Sequence, residues 1–327
     1  MLKTEILRML KETEGYVSGQ DICEKLQVSR TAVWKAIRQL GEEGYEIEAV
    51  RNRGYHLKMA GDILSYEEIA SSLETRWAGK NLLYFDEVDS TNNVIKREAE
   101  NGAPHGTLAV ADYQSGGKGR RGRVWKSPHG VGIWMSILLR PELTPSSAPM
   151  MTLPAAMAVA EGIRAACGLD TKIKWPNDVV VNGKKVCGIL TEMSAELDAI
   201  NYIVPGIGIN VNTETFPEDI RATATSLYLE TGRRIRRGPV IGAVMKAFEE
   251  VYGRFMETGD MSQLKEDYNA RLANRDNKVQ VLRQEGSYTG TALGINDRGE
   301  LMVRREDGTM ENVLSGEVSV RGIYGYV

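Results

Sequence analysis

Cysteine and histidine are scarce in this chain: 327 residues hold three of each, Cys23, Cys167 and Cys187, and His56, His105 and His129. No cysteine pair forms C-x-x-C and no two histidines fall at ligand spacing. That excludes a disulfide framework, a tetrahedral zinc site and a histidine-based triad. Reduced thiols fit a cytoplasmic protein, the expected location. Long apolar runs are missing too. The opening MLKTEILRMLKETEG alternates charged and apolar residues, so it is not expected to act as a signal peptide, and no later stretch reaches the ~20 apolar residues of a membrane helix. Neither sign of charge dominates: the formal net charge is −3, so any basic surface must be sought locally.

What is present is ordinary for a globular protein of two or three domains, with 42% hydrophobic residues and 34 glycines. The expected fold class is multidomain α+β. Residues 1–62 read as a winged helix-turn-helix. Leu2, Ile6, Met9 and Leu10 repeat at helical spacing up to Gly15, Ser18 with Asp21 resembles a capping box, and Ser29 can cap a third helix. That third helix carries Val33, Ile37 and Leu40 on one face and is expected to end at Gly41 and Gly44. Tyr45 to Leu57 reads as two short strands joined around Arg51-Asn52-Arg53-Gly54. Residues 63–270 mix strand-like runs (LLYFDEV, TLAVADY, GIWMSILLR, YIVPGIGINV) with helices expected over Pro149–Cys167 and Pro239–Met256, and Asn182-Gly183 marks a tight hairpin. This is an α/β domain with a mixed sheet. Residues 271–327 alternate with a period of two and read as a small SH3-like β-barrel.

Charge is unevenly spread within the first domain. Ser29 to Leu40 and Arg51 to Lys58 contain no acidic residue. Ser29, Arg30, Thr31, Lys35 and Arg38 on the third helix, with Arg51 and Arg53 at the wing, are the expected DNA-binding residues: the helix would enter the major groove and the wing would meet phosphate or the minor groove. A solvated face would carry similar charges.

The segment GGKGRRGRVW, residues 116–125, matches two glycine-rich nucleotide signatures by spacing. Neither fits the residues that follow. A dinucleotide fingerprint needs a helix straight after the glycines, whereas Arg-Val-Trp-Lys-Ser-Pro follows. A kinase loop needs H-R-D and D-F-G downstream, and both are missing. What remains is four cations within seven residues, which repel one another unless an anion or water compensates them. Such a loop could order over a polyanion or stay a solvated basic loop. DSTNN (Asp89–Asn93) puts hydroxyls and amides at a strand-to-helix junction, suited to a small polar ligand or to plain capping. KWPND and GKKVCGIL place Lys185 on a strand just past a tight turn.

Taken together, the winged helix, DSTNN, QSGGKGRRGRVW, KWPNDVVVNGKKVCGIL, GIGINVN and GEVSVRG resemble, in order and over the whole chain, the bacterial bifunctional biotin protein ligase and biotin operon repressor family. The resemblance implies activation of biotin by ATP, with Mg²⁺, to biotinyl-5'-AMP, and transfer to a lysine of the biotin carboxyl carrier protein of a biotin-dependent carboxylase. It further implies an adenylate-bound homodimer that binds operator DNA, and no membrane partner. By position, Ser90, Thr91, Asn92 and Gln114 would line the biotin ring site. Lys118, Gly119 and Arg120 would close over the carboxylate and phosphate, and Lys185 would contact the reacting oxygens, so that Lys185, Arg120 and Lys118 are the catalytic candidates. Arg121, Arg123, Asn177, Asp178 and Asn210 would lie near the adenylate or its magnesium; no protein metal-ligand set is implied. Glu317 and Arg321 resemble positions that brace the terminal barrel. The family's loop usually reads G-R-G-R-R-G, and Lys118 replaces its first arginine, keeping the charge but losing the planar fork.

The chemistry agrees with the residues: joining two anions calls for cations, not for a histidine or a catalytic carboxylate. Two other functions stay open at this point. One is a biotin-sensing winged-helix repressor without catalysis; the other is a ligase for a different cofactor acid such as lipoate.

Overall fold

The computed structural model describes residues 2–59, 61–283, 286–315, 319–322 and 326–327. Helices α1 (Leu2–Glu12), α2 (Gly19–Leu26) and α3 (Arg30–Glu42) are followed by the hairpin β1 (Glu46–Val50) and β2 (Gly54–Met59). Ile6, Leu7, Ile22, Val33, Ile37 and Leu40 meet in their own core, as the helical spacing requires. Ser18 and Ser29 cap α2 and α3 by accepting from the amides of Gln20 and Ala32 at 3.1 and 3.2 Å, which have no partner inside the helix. Gly41 proves to be inside α3, which stops just before Gly44 at φ +99°. Val50 pairs with Gly54 across the wing tip.

The central region runs α4 (Tyr66–Ser72), β3 (Leu82–Val88), α5 (Thr91–Glu100), β4 (Leu108–Gln114), β5 (Gly132–Ile137), α6 (Thr152–Cys167), β6 (Thr171–Lys174), β7 (Asp178–Val181), β8 (Lys184–Ala195), β9 (Ile200–Asn210), α7 (Leu227–Thr231), α8 (Arg237–Thr258) and α9 (Lys265–Arg271). Its seven-stranded mixed sheet has the order β3-β4-β5-β9-β8-β7-β6, parallel only between β3 and β4. Alternation along β4 assigns the faces: Leu108 and Val110 pack with α6 and α8, while Ala109 packs with Val94 and Ile95 of α5. The expected helix from Pro149 is corrected. Pro145–Met151 form a 3-10 turn and the α-helix begins at Thr152, consistent with prolines at 145 and 149 supplying no N–H to an α-helical ladder. Pro239 falls in the first turn of α8, where its missing N–H costs nothing, so that helix starts earlier than expected, at Arg237.

The last strands are β10 (Lys278–Arg283), β11 (Gly286–Ile295), β12 (Leu301–Arg305), β13 (Met310–Val313) and β14 (Ser319–Gly322). Their described pairings give an antiparallel sheet in the order β13-β12-β11-β10-β14, and closure into a barrel is not among them. Glu317 lies outside the described residues, and the backbone of Arg321 pairs with Gln280. Val279, Val281, Leu301 and Val303 share one core with the central sheet, so the two regions are continuous in packing.

Two buried ionic clusters join the winged helix to the rest. Glu68 of α4, only 1% exposed, accepts from Tyr45 at 3.1 Å and pairs with Lys11 of α1 and Arg236, both at 2.7 Å. Arg237, 3% exposed, lies between Asp62 of the linker at 2.8 Å and Asp112 of β4 at 2.5 Å. Asp62 also accepts from the Arg237 amide at 2.9 Å, a carboxylate where the dipole of α8 favours negative charge. Among the described residues no helix is long and apolar enough to cross a membrane.

Removing one partner of a buried ion pair leaves an uncompensated charge, so Arg237→Met should cost about 3–5 kcal/mol. Urea unfolding should show a lower midpoint at unchanged slope; a midpoint equal to the parent's would deny Arg237 this structural weight.

Candidate active site

Strand β3 delivers Asp89, and α5 begins at Thr91 with Ser90 at its cap position. The Ser90 side chain makes no capping hydrogen bond although it is 4% exposed. Plain capping therefore does not account for DSTNN. Thr91 donates its amide to Gln114 Oε1 at 2.8 Å and its hydroxyl to the same oxygen at 3.1 Å, and lies 2.7 Å from Ser136 Oγ. Gln114 Nε2 donates onward to Ser127 at 2.9 Å. Asn92 donates to Leu190 O at 3.2 Å and Glu192 at 2.7 Å, and accepts from Ser136 at 2.6 Å. These polar groups are fixed before any ligand arrives, a preorganised wall of donors and acceptors.

Strand β9 and Trp125 pack closely beside these groups. At Gly206 an added Cβ would lie 2.0 Å from Asn92 Oδ1, and at Gly208 it would lie 2.6 Å from Trp125 Nε1. The glycines of GIGIN are there so that two side chains can lie directly on β9. Trp125 Nε1 is buried without a hydrogen-bond partner. The cleft is lined by Ser90, Thr91, Asn92, Gln114, Lys118, Gly119, Arg120, Asn177 and Lys185 among others.

The glycine loop folds as a tight hairpin. Gly119 N–H donates to Arg123 O at 2.7 Å, Trp125 N–H to Gly117 O at 2.9 Å, and Arg121 adopts φ +58°. Only a three-residue 3-10 turn, Arg120–Gly122, follows the glycines, which agrees with rejecting a dinucleotide fingerprint. Arg120 donates to Asn177 Oδ1 at 2.9 Å and to the carbonyl of Ser315 in the last region. Burial holds its guanidinium below the usual arginine value, against the pull of Asp178. Lys185 Nζ lies 2.6 Å from Asp178 Oδ1 and 5.1 Å from the Trp125 ring centre. Asp178 Oδ2 accepts from Tyr326 OH at 2.5 Å, and burial together with Asp178 pushes that phenol well up. Burial pushes the Glu192 carboxyl up, but hydrogen bonds from Lys96 and Asn92 outweigh it and hold it below the usual range.

The remaining expected residues are dispersed. Arg121 lines an adjoining cavity, Arg123 is exposed, and Asn210 donates to Thr225 O at 3.1 Å rather than lining the cleft. Ser136, Glu192, Trp125 and Tyr326 were not anticipated. Ser136 is the lone polar residue of WMSI and Glu192 the lone charge of GILTEM, and those interruptions are their only signal in the sequence. In the first domain, Ser29, Arg30, Thr31, Lys35, Arg38, Arg51 and Arg53 are all exposed. Arg30 donates to Gln20 at 2.9 Å, Arg38 pairs with Glu42 at 3.1 Å, and Arg53 stacks 5.0 Å from the Tyr16 ring centre.

Residues 3–56 match an HTH domain, 84–210 the biotin/lipoate A/B protein ligase family, and 278–321 the biotin protein ligase C terminal domain. The chain is 41% identical to the bifunctional ligase/repressor BirA of Bacillus spizizenii over 98% of both chains. It belongs to the bifunctional biotin ligase/repressor family. The BirA of Escherichia coli is 28% identical over 93% of this chain and 92% of its own. The biotin protein ligase of Aquifex aeolicus, solved with biotin and ATP, covers 74% of this chain and 99% of its own at 35% identity and a TM-score of 0.65. For a biotin ligase, the preorganised polar wall beside a cationic loop suits an uncharged ring system carrying a carboxylate tail.

Gly206→Ala should displace Asn92 and weaken biotin binding by tenfold to hundredfold, from an overpacking cost of about 1–3 kcal/mol. Titration calorimetry checks this; an unchanged affinity would mean that the position of Asn92 does not matter to the ring site.

Proposed function

We propose that this biotin ligase holds the biotin ring against Ser90, Thr91, Asn92 and Gln114 and performs both half-reactions over the cleft beside Lys185. In the first, a biotin carboxylate oxygen attacks the α-phosphorus of ATP and pyrophosphate leaves, giving biotinyl-5'-AMP. In the second, the amine of a carrier-protein lysine attacks the carbonyl carbon and AMP leaves. The observation that carries this reading is the convergence of Lys118, Arg120 and Lys185 on one cleft with a neutral hydrogen-bonding wall. Cations there offset the repulsion between carboxylate and triphosphate and stabilise charge on the leaving group. Arg121 and Arg123 extend the positive field outward, and Asn177 and Asp178 orient Arg120 and Lys185. Asn210 acts indirectly, through Thr225, whose amide donates to Lys185 O at 2.8 Å.

Among the described residues no three carboxylates, histidines or cysteines group to hold a metal. Asp178, which already takes Lys185, Asn177 and Tyr326, is the carboxylate beside Lys185 that would face an Mg²⁺ arriving with the triphosphate. The ion would neutralise phosphate charge.

The Bacillus spizizenii relative is named a ligase/repressor and the Paracoccus denitrificans relative a biotin–[acetyl-CoA-carboxylase] ligase. By extension, the acceptor here is the biotin carboxyl carrier protein of a carboxylase. The same chain acts as an operator-binding repressor, as an adenylate-bound homodimer, through α3 and the wing.

ATP–pyrophosphate exchange without carrier should depend on biotin and not on lipoate or octanoate, and Lys185→Ala should slow it far more than it weakens biotin binding. Equal losses would remove Lys185 from the chemistry, and no exchange at all would leave a sensing repressor. For DNA, three or four phosphate contacts per protomer give a log K against log[salt] slope of about −5 to −7 for a dimer. A flat dependence would rule out α3 and the wing as the binding surface.

A further inference from the structure

Trp34 is 51% exposed on α3. A single apolar residue on a surface needs no explanation in itself; here its position does. Val33, Ala36, Ile37 and Leu40 are turned into the core, and Arg30, Thr31, Trp34, Lys35 and Arg38 form the exposed face. Arg30, Trp34 and Arg38 are spaced four residues apart, so they stand in line one turn after another. The indole is therefore the centre of a cationic stripe, with the Arg38 guanidinium 5.4 Å from its ring. A partner matching this face must be polyanionic and must also present apolar points between its charges. Duplex DNA in the major groove does both, with phosphates along its edges and the 5-methyl group of each thymine on its floor.

We propose that Trp34 reads thymine: its indole packs on a thymine 5-methyl in the major groove while Arg30, Lys35 and Arg38 hold the flanking phosphates. The inference rests on the DNA-binding reading given above and adds the residue that supplies sequence preference. The division of labour has a thermodynamic signature. Arginine and lysine contacts release counterions and set the salt slope. The indole releases none, so it changes affinity at fixed slope.

The test uses the full chain with biotin, ATP and Mg²⁺, and duplexes enriched by the parent protein from a random-sequence library. Each duplex is also made with deoxyuridine in place of one thymidine at a time, which removes only the methyl group. The parent should lose about fourfold in affinity per buried methyl at the contacted position, the value of one buried carbon. Trp34→Ala should bind the thymine duplex at least that much more weakly, show no further loss on uracil substitution, and keep the parent's salt slope. Trp34→Phe should restore part of the methyl discrimination. The retained slope reports that the rest of the DNA surface is intact. Equal sensitivity of Trp34→Ala and parent to uracil would overturn the proposal, as would loss of self-association by Trp34→Ala without DNA, which would place the indole between protein copies. A parent protein with no salt-dependent DNA binding would instead overturn the underlying DNA reading.

Discussion

A buried guanidinium is the constraint around which this molecule is arranged. At 3% exposure the Arg237 guanidinium would be an unpaired buried charge without its two carboxylates, and those come from places with different duties. Asp62 belongs to the linker behind the winged helix. Asp112 lies on β4, two residues before Gln114 in the ligand wall. Asp112 also accepts from the amide of Gly130 at 3.2 Å, and Asn212 donates to Asp62 at 2.8 Å. The linker, the start of α8 and the strand carrying Gln114 are thus parts of one electrostatic unit.

The active site follows a related economy of charge. Two of its three cations have close partners described in the folded chain: Lys185 has Asp178, and Arg120 has Asn177 and the Ser315 carbonyl. A substrate anion entering the cleft therefore exchanges contacts instead of meeting bare charges. Because Ser315 lies beyond the central sheet, the glycine loop is positioned in part by the terminal region.

Much of this organisation was legible in the sequence wherever the signal was local. The periodicity of Ile6, Val33 and Leu40, the serine caps and the Asn182-Gly183 turn each specify structure over a few residues, and the elements follow. Short elements such as α4, α9, β6 and β13 carry too few residues for a period to register. At the site, Ser90, Thr91, Asn92, Gln114, Lys118, Arg120 and Lys185, drawn from three separate motifs, line one cleft. The contacts that tune them were not legible, because they join residues far apart along the chain: Arg120 to Ser315, Asp178 to Tyr326, Asn92 to Glu192. Asn210 shows the converse, since its place in GIGINVN pointed to the ligand while its amide serves Thr225.

The Glu68 cluster bears on how such a chain could be assembled or taken apart. Its carboxylate sits on α4, yet its donors include Lys11 and Tyr45 of the winged helix and Arg236 of the ligase region. A foreign DNA-binding module fused at the linker would preserve the order of domains and still leave buried Glu68 with Arg236 alone of these three partners. Modularity in this protein is chemical before it is topological: the winged helix is exchangeable only together with the side chains that answer Glu68.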